Sequence, residues 1–454
     1  MDRLLALLIK LFIFLSGFAK PLSRIGIGTY EEWAPGKKLK LLMVGYNGAR
    51  NTGADARVVA AVRQIKELFG AENVHISVLT LSVESLNGYF DEDVELLDLN
   101  SIFLKDLYRV CSSHHAAVIC EGSTLKSTFA NALSLFFCEA SGIMAKQGKP
   151  CIAFGSEVGY MEESLRRFAA KACKGTYFIT RTQESQKVLT ELGLEGHKGT
   201  DTAWLYEGAA EHETTCELLR EHGWDGSTPL LGIAVINPFL WPVRASLGKW
   251  IKGGITGTQE SQYDKWYYYS DSPQRRSDYE RYIDEIAKAA NSLCERGEFF
   301  PVLLGMERMD IEACKSLMQK LEMPAAIFPS GDYTADIMTG ILRELSSLIT
   351  SRYHAAVLSM QKGCPIVAVS MDERLDSLMK EVELEDTYLF HVRDEDLGTE
   401  LMNAVQKGCN RSQQLREHLE HEVCAYREEQ KRMGAFLKRY ITDRLTNTLE
   451  GTKH

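Results

Sequence analysis

Leu348-Ile-Thr-Ser-Arg-Tyr-His-Ala-Ala-Val-Leu358, followed by Gly363-Cys-Pro-Ile-Val-Ala-Val-Ser-Met-Asp-Glu-Arg374, decides how this chain is read. A short apolar run ends in Arg352 and His354, an apolar helix-like segment follows, and a second buried strand leads to Asp372 and Arg374. In an alternating α/β chain this order places a guanidinium, an imidazole and an Arg–Asp pair near the carboxyl ends of neighbouring strands. Open parallel sheets bind their ligands there. Two cations and a titratable ring suit a small, multiply charged anion that also gains or loses a proton.

The alternation extends through the chain. Strand-like runs at residues 40–45, 74–81, 94–99, 116–121, 150–155 and 177–181 are separated by helical patterns, including residues 54–69 and a long helix entered directly from the strand at 116–121 and running to residue 146. A polar stretch at 207–229 interrupts the series, which restarts at 230–236 and continues at 299–305, 325–328, 347–350, 365–370 and 387–392. Strands spaced by helices of this length imply βαβ units and parallel sheets. The expected fold class is therefore α/β, with two Rossmann-like domains, residues 39–206 and 230–410, joined by a linker at 207–229. Residues 1–38 form an apolar helix and a polar linker. The charged tail, 411–454, reads as helical, either packed across both halves or solvated.

With 454 residues, 45% hydrophobic and 25% charged, the chain has the profile of a folded globular protein. A net charge of −10 argues against general nucleic-acid binding, which needs a basic footprint. The 11 cysteines are scattered singly and show no zinc-ligand spacing, so they read as reduced, buried thiols and no metal site is expected. Residues 4–18 are apolar but for Lys10 and Ser16, short for a spanning helix. Three readings compete: an amphipathic anchor at a membrane interface, a helix packed on the protein itself, or a signal peptide. Residues 238–283 break the alternation and hold Trp241, Trp250, Tyr263, Trp266, the run Tyr267-Tyr-Tyr269, Arg275 and Arg276. Such a loop either closes on a sugar as a lid or forms a packed or oligomeric aromatic cluster.

The first strand runs into Gly45-Tyr-Asn-Gly-Ala-Arg-Asn-Thr-Gly-Ala-Asp55. Gly48 and Gly53 let backbone amides approach a ligand, and Asn51 and Asp55 add caps or donors. The spacing is neither a dinucleotide fingerprint nor a P-loop. Ala117-Val-Ile-Cys-Glu-Gly-Ser-Thr-Leu125 is a second strand-to-loop turn, where Gly122 and Ser123 offer amides and a hydroxyl to an anion, and Glu121 is a ligand for a sugar hydroxyl, a base or a buried helix cap. Arg181 ends a further strand, with Thr180 expected to cap the next helix and Glu184 to complete the capping box. Asp201 taken alone is a loop carboxylate.

In order, these segments resemble the polysaccharide pyruvyl transferase family. The match is carried by Gly45-Tyr46, Gly48, Asn51, Gly53 and Asp55, then Arg181, Ser185 and Asp201, then Arg352, His354, Ala355, Pro365 and Asp372. The family's Gly-Gly-Gly turn is Glu121-Gly122-Ser123 here, its Lys after the last Asp is Arg374, and Tyr353 stands where Leu is usual. The resemblance implies two Rossmann-like domains in a GT-B-like arrangement around a cleft. It implies transfer of pyruvate from phosphoenolpyruvate, with no cofactor, to hydroxyls of a glycan or lipid-linked saccharide. His354 is then expected as general acid or base and Arg352 as its catalytic partner, with Arg181 or Arg374 as the second anion ligand. The alternatives are a GT-B-type glycosyltransferase using a nucleotide sugar, or a non-catalytic binding protein on this fold. The expected setting is cytoplasmic, in peripheral contact with the inner face of the cell membrane, and a homo-oligomer is left open.

Overall fold

The computed structural model describes residues 2–100, 103–241, 243–245, 267–295 and 297–451. The strands of the first half are β1 (Leu39–Val44), β2 (Val74–Thr80), β3 (Val94–Asp98), β4 (Ala116–Ile119), β5 (Cys151–Ser156), β6 (Thr176–Thr180) and β7 (Gly196–Lys198). They form one parallel sheet in the order β3-β2-β1-β4-β5-β6-β7. The second half opens with β8 (Leu230–Ala234). After a short antiparallel pair, β9 (Arg244–Ala245) with β10 (Tyr267–Tyr268), come β11 (Phe300–Gly305), β12 (Ala326–Pro329), β13 (Ser347–Thr350), β14 (Ile366–Ser370) and β15 (Leu389–His391). Its parallel sheet has the order β12-β11-β8-β13-β14-β15. The central strands β4, β5, β8, β13 and β14 are buried at every position, because helices cover both faces, so they read as unbroken apolar runs.

Several boundaries differ from the sequence reading. β4 does not enter a helix; residues 120–130 form an extended loop before the helix Asn131–Lys146. The linker contains its own helix, His212–Glu221. The aromatic segment ends earlier than expected, because Ser272 caps a helix, Pro273–Cys294, by accepting from Arg275 N, and proline fits the first turn. Trp250, Tyr263 and Trp266, part of the expected lid, lie outside the described residues. Trp241 packs edge-on against Phe129 at 4.9 Å between ring centroids, and Arg275 donates to the Phe239 and Trp241 carbonyls at 2.6 and 3.0 Å. That part of the segment is a packed cluster.

The N-terminal helix Asp2–Ser16 lies on the first half, with Ile9 fully buried and Ile13 seated over Gly142, where a Cβ would come within 2.4 Å of it. The charged tail is one helix, Ser412–Gly451. Leu415, Leu419 and Val423 join the core of the second half, while Met433, Leu437 and Ile441 join that of the first. Between these contacts Gln430 and Gln64 exchange hydrogen bonds and Tyr426 stacks on Trp204 at 4.5 Å. The helix spans both halves. Leu437→Ala, at a fully buried site, is expected to destabilise the protein by about 2–5 kcal/mol. Denaturant unfolding of the variant checks this, and an unchanged midpoint would place the helix end off the core.

Candidate functional site

In each sheet the chain reverses direction across one strand pair, β1/β4 in the first and β8/β13 in the second, and such reversals open a crevice at the strand carboxyl ends. The two crevices face each other. From the first sheet come the loop after β1, the turn Glu121-Gly122-Ser123 after β4 and Arg181 after β6. From the second come Glu307 after β11, Arg352, Tyr353 and His354 after β13, and Arg374 after β14. Together they line a cleft of about 810 Å³ including its open mouth.

The loop after β1 ties the halves together. Asn51 caps the helix Thr52–Phe69 by accepting from Gly53 N and Ala54 N, and bridges to Glu307. Thr52 N donates to Met306 O at 2.9 Å, and Ser330 Oγ to Arg50 O at 2.7 Å. Gly48 turns the loop with φ 75°, where a Cβ would lie 2.2 Å from Thr80 Oγ1. At Gly53 a Cβ would lie 2.0 Å from His354 Nδ1, so only glycine lets this helix start abut the imidazole.

Asp201, fully buried, is the hub beneath the cleft floor. It accepts from Arg181 Nη1 at 2.8 Å, pairs with Arg57 Nε at 3.2 Å and lies 3.5 Å from His354 Nε2. Burial opposes its charge, but Arg57, His354 and Arg181 hold its carboxyl well below the usual range. The imidazole is pulled the other way. Burial is the main effect on His354, with Asp201 opposing it and Arg181 and Arg57 reinforcing it, and the ring's pKa falls to about 4. His354 is therefore neutral at neutral pH.

Every cleft guanidinium has a carboxylate partner. Arg181 also pairs with Glu157, which takes Lys126 Nζ at 2.7 Å; Lys126 in turn reaches Glu373 of the other half at 2.9 Å. Arg352 pairs with Glu307 at 3.0 Å and with Asp310 at 3.3 Å. Burial, with Arg352 opposing, pushes Asp310 up to about 7. Arg374 lies 2.7 Å from Asp372 and 4.8 Å above the Phe129 ring. Exposure separates these groups: Arg374 and Arg352 keep 18% and 13% of their side chains open, Arg181 and Arg57 only 1%. Arg352 and Arg374 are the guanidiniums partly open to the cleft, and Arg57 and Arg181 form the layer beneath.

Of the residues singled out from sequence, Asn51, Gly53, Gly122, Ser123, Arg181, Arg352, His354 and Arg374 line the cleft. Gly48, Asp55, Asp201 and Asp372 are outside that lining. Gly48 is a turn residue, Asp201 orders the cations from below, and Asp372 caps the helix Glu373–Glu381 while holding Arg374. Asp55 is buried, and its carboxyl is pushed up to about 7 mainly by that burial. The turn after β4 differs from expectation: Glu121 accepts from Ser123 N and Tyr46 N at 3.1 and 3.0 Å, so the Ser123 amide is already engaged. The helix after β6 is capped by Thr182, which accepts from Ser185 N, and Glu184 instead accepts from Ser377 Oγ of the other half. Thr180 is taken up by pairing with Lys198 of β7. Arg57, Lys126, Glu157, Glu307 and Asp310 went unnoticed in the sequence; Glu157 alone carried a usable signal, a carboxylate directly after a buried strand.

Outside the cleft lining, His212, Cys216 and Glu344 bring ligand atoms within 4.8 Å of one another. The His-x-x-x-Cys spacing is one helical turn, and Glu344 ends another helix, so sequence spacing alone did not reveal the trio.

Gly53→Ala is expected to lower turnover about 100-fold by displacing His354, since an ångström of misplacement costs that much. Turnover measured beside the thermal midpoint separates this from unfolding, and wild-type turnover would refute the close approach.

No curated protein matches the chain. Among solved structures, a glycosyltransferase from Rickettsia africae ESF-5 is similar in fold at 10% identity and a TM-score of 0.56, covering 91% of this chain and 100% of that one. UDP-GlcNAc 2-epimerase from Neisseria meningitidis, bound to UDP-GlcNAc, gives 10% and 0.53, with 89% and 100% covered. The UDP-GlcNAc 2-epimerase from Methanocaldococcus jannaschii gives 12% and 0.52, with 82% and 93% covered. These likenesses are of the GT-B fold alone. The model of the family described as polysaccharide pyruvyl transferase matches residues 51–373. That span contains the Asn51 cap, Arg57, Arg181, Asp201, Arg352 and His354, and the chain belongs to the polysaccharide pyruvyl transferase family.

Proposed function

We propose that the cleft transfers a pyruvyl group from phosphoenolpyruvate to hydroxyls of a glycan or lipid-linked saccharide, releasing phosphate. The observation that carries this reading is the pair of partly open guanidiniums, Arg352 and Arg374, beside a neutral imidazole between two sheets. Family membership supports it. Phosphoenolpyruvate offers a carboxylate and a phosphate, each a match for a guanidinium fork, at about 1.5–3 kcal/mol per charged hydrogen bond. The donor competes with Glu307 for Arg352 and with Asp372 for Arg374. Guanidiniums supply the positive charge in this reading, which calls on no metal or cofactor.

The chemistry balances as follows. The methylene carbon of the donor takes a proton, and the adjacent carbon, which bears the phosphate, gains positive character. A sugar hydroxyl bonds there and gives up its proton. The carbon–oxygen bond to phosphate then breaks, and phosphate leaves with the electron pair. A second hydroxyl then bonds to the same carbon, gives its proton to the departed phosphate and closes a ketal. His354 lines the cleft with Nε2 3.5 Å from Asp201 and the Nδ1 side of the ring against Gly53, and in this reading its ring exchanges the proton with the substrate. A bound phosphate beside the ring stabilises the imidazolium, so donor binding itself loads His354 with a proton to deliver.

His354→Asn is expected to cut turnover at least about 100-fold while sparing donor binding. Arg352→Ala is expected to weaken donor binding about 10- to 100-fold, read by titration calorimetry. Because the ring's pKa rises from about 4 on donor binding, one proton is taken up between that value and the raised one. Affinity for phosphoenolpyruvate should therefore fall as pH rises through this window, and His354→Asn should remove that component. Phosphoenolpyruvate at about 100 times its Kd should stabilise the protein by about 2.7 kcal/mol, seen as a higher thermal midpoint. A rise with UDP and none with phosphoenolpyruvate would overturn the reading in favour of nucleotide-sugar transfer.

A further inference from the structure

The large apolar side chains that the fold leaves in solvent are concentrated in one place. Among the described residues they are Leu4, Leu7, Leu11, Phe14, Leu15, Phe18, Ile25 and Ile27, with Tyr160 elsewhere. At the helical repeat, Leu4, Leu7, Leu11, Phe14 and Leu15 fall within an arc of about 100° on the helix Asp2–Ser16. The opposite face, with Leu5, Leu8, Ile9, Phe12 and Ile13, packs on the helices Phe103–Ser113 and Asn131–Lys146. The helix is thus held flat against the first half by one face and presents a convex ridge on the other, 63% of Leu7 being open to solvent.

We propose that this ridge seats the protein on the surface of a bilayer containing anionic lipid. Charge selects this occupant. Residues 2–30 hold Arg3, Lys10, Lys20 and Arg24 against Asp2 alone, Lys20 being paired with Glu32, in a chain whose net charge is −10. Arg3 and Lys10 fall along one border of the apolar arc, Lys10 lying 5.7 Å over the Phe168 ring. Lys105, Lys146 and Lys171 are exposed on the neighbouring helices of the same half. A bilayer with anionic headgroups complements Arg3 and Lys10 and accepts a convex ridge of any outline. No helix among the described residues is long and apolar enough to cross a membrane. A helix pinned along its length lies in the interface, with its apolar side about 5–10 Å deep.

The test is flotation of the full chain, without substrate, with vesicles of phosphatidylcholine alone or of phosphatidylcholine with phosphatidylglycerol. The wild type is expected to float with the anionic vesicles at low salt, roughly tenfold more than with neutral ones, and to be released as salt rises. The double variant Leu7→Glu, Leu11→Glu should abolish flotation at an unchanged thermal midpoint, since both side chains face solvent. Lys10→Glu should weaken it and flatten the salt dependence. A wild type that stays at the bottom of the gradient, or a double variant that floats equally well, overturns the proposal. So does a wild-type dimer in sedimentation that the double variant converts to monomer, with no vesicle binding, which would assign the ridge to a second copy. Lipid binding is read without donor or acceptor, so its failure leaves the pyruvyl-transfer reading intact.

Discussion

A carboxylate that stays charged while fully buried governs this structure. Asp201 is stripped of water and kept ionised by Arg57 and Arg181 from its own half and His354 from the other. Removing one partner of such a cluster costs about 3–5 kcal/mol, because the charge left behind has no solvent to turn to. The cluster therefore fixes where the two sheets meet. Burial is what chiefly disfavours a proton on His354; Asp201 opposes it, and the arginines that stabilise Asp201 reinforce it. Gly53 completes the constraint from above, leaving the ring one place to sit.

The carboxylates around the cleft have a second effect. Glu157, Glu307, Asp310 and Asp372 hold the guanidiniums in place before any ligand arrives. Long side chains otherwise lose rotamer freedom on binding, and here that loss is already met by folding. The aromatic rings act in the same direction, Tyr353 lying 4.5 Å from the Arg181 guanidinium and Phe129 4.8 Å from that of Arg374. The cleft is close to electrically balanced when empty, so an incoming anion exchanges partners instead of meeting bare charge.

The two alternating halves were legible in the sequence because buried parallel strands leave unbroken apolar runs, and the residues at their carboxyl ends follow by position. Arg181, Arg352, His354 and Arg374 were found that way. Of their partners, Asp201 and Asp372 were singled out as well, the second as the pair of Arg374. Lys126 and Glu307 were not, because they meet charges from elsewhere in the chain. A lone charged residue beside an apolar run looks the same whether it faces water or an arginine. The cap after β6 shows a different ambiguity: Thr180 and Thr182 both suit the role, and strand pairing claims the first. The N-terminal helix is apolar in sequence on both faces, although only one of them packs on the first half and the other is left in solvent. The tail's sparse apolar residues concealed that they serve two cores in succession.

Many two-domain clefts admit substrate by swinging open about a hinge. Here the helix Ser412–Gly451, some 60 Å of continuous rod at 1.5 Å per residue, is anchored in one core near Leu419 and in the other near Leu437. It works as a splint. Rotating one half against the other would require bending that rod, or pulling Met433, Leu437 and Ile441 out of the core they fill. The two sheets behind the cleft are therefore held at a fixed angle by a rod that both cores grip.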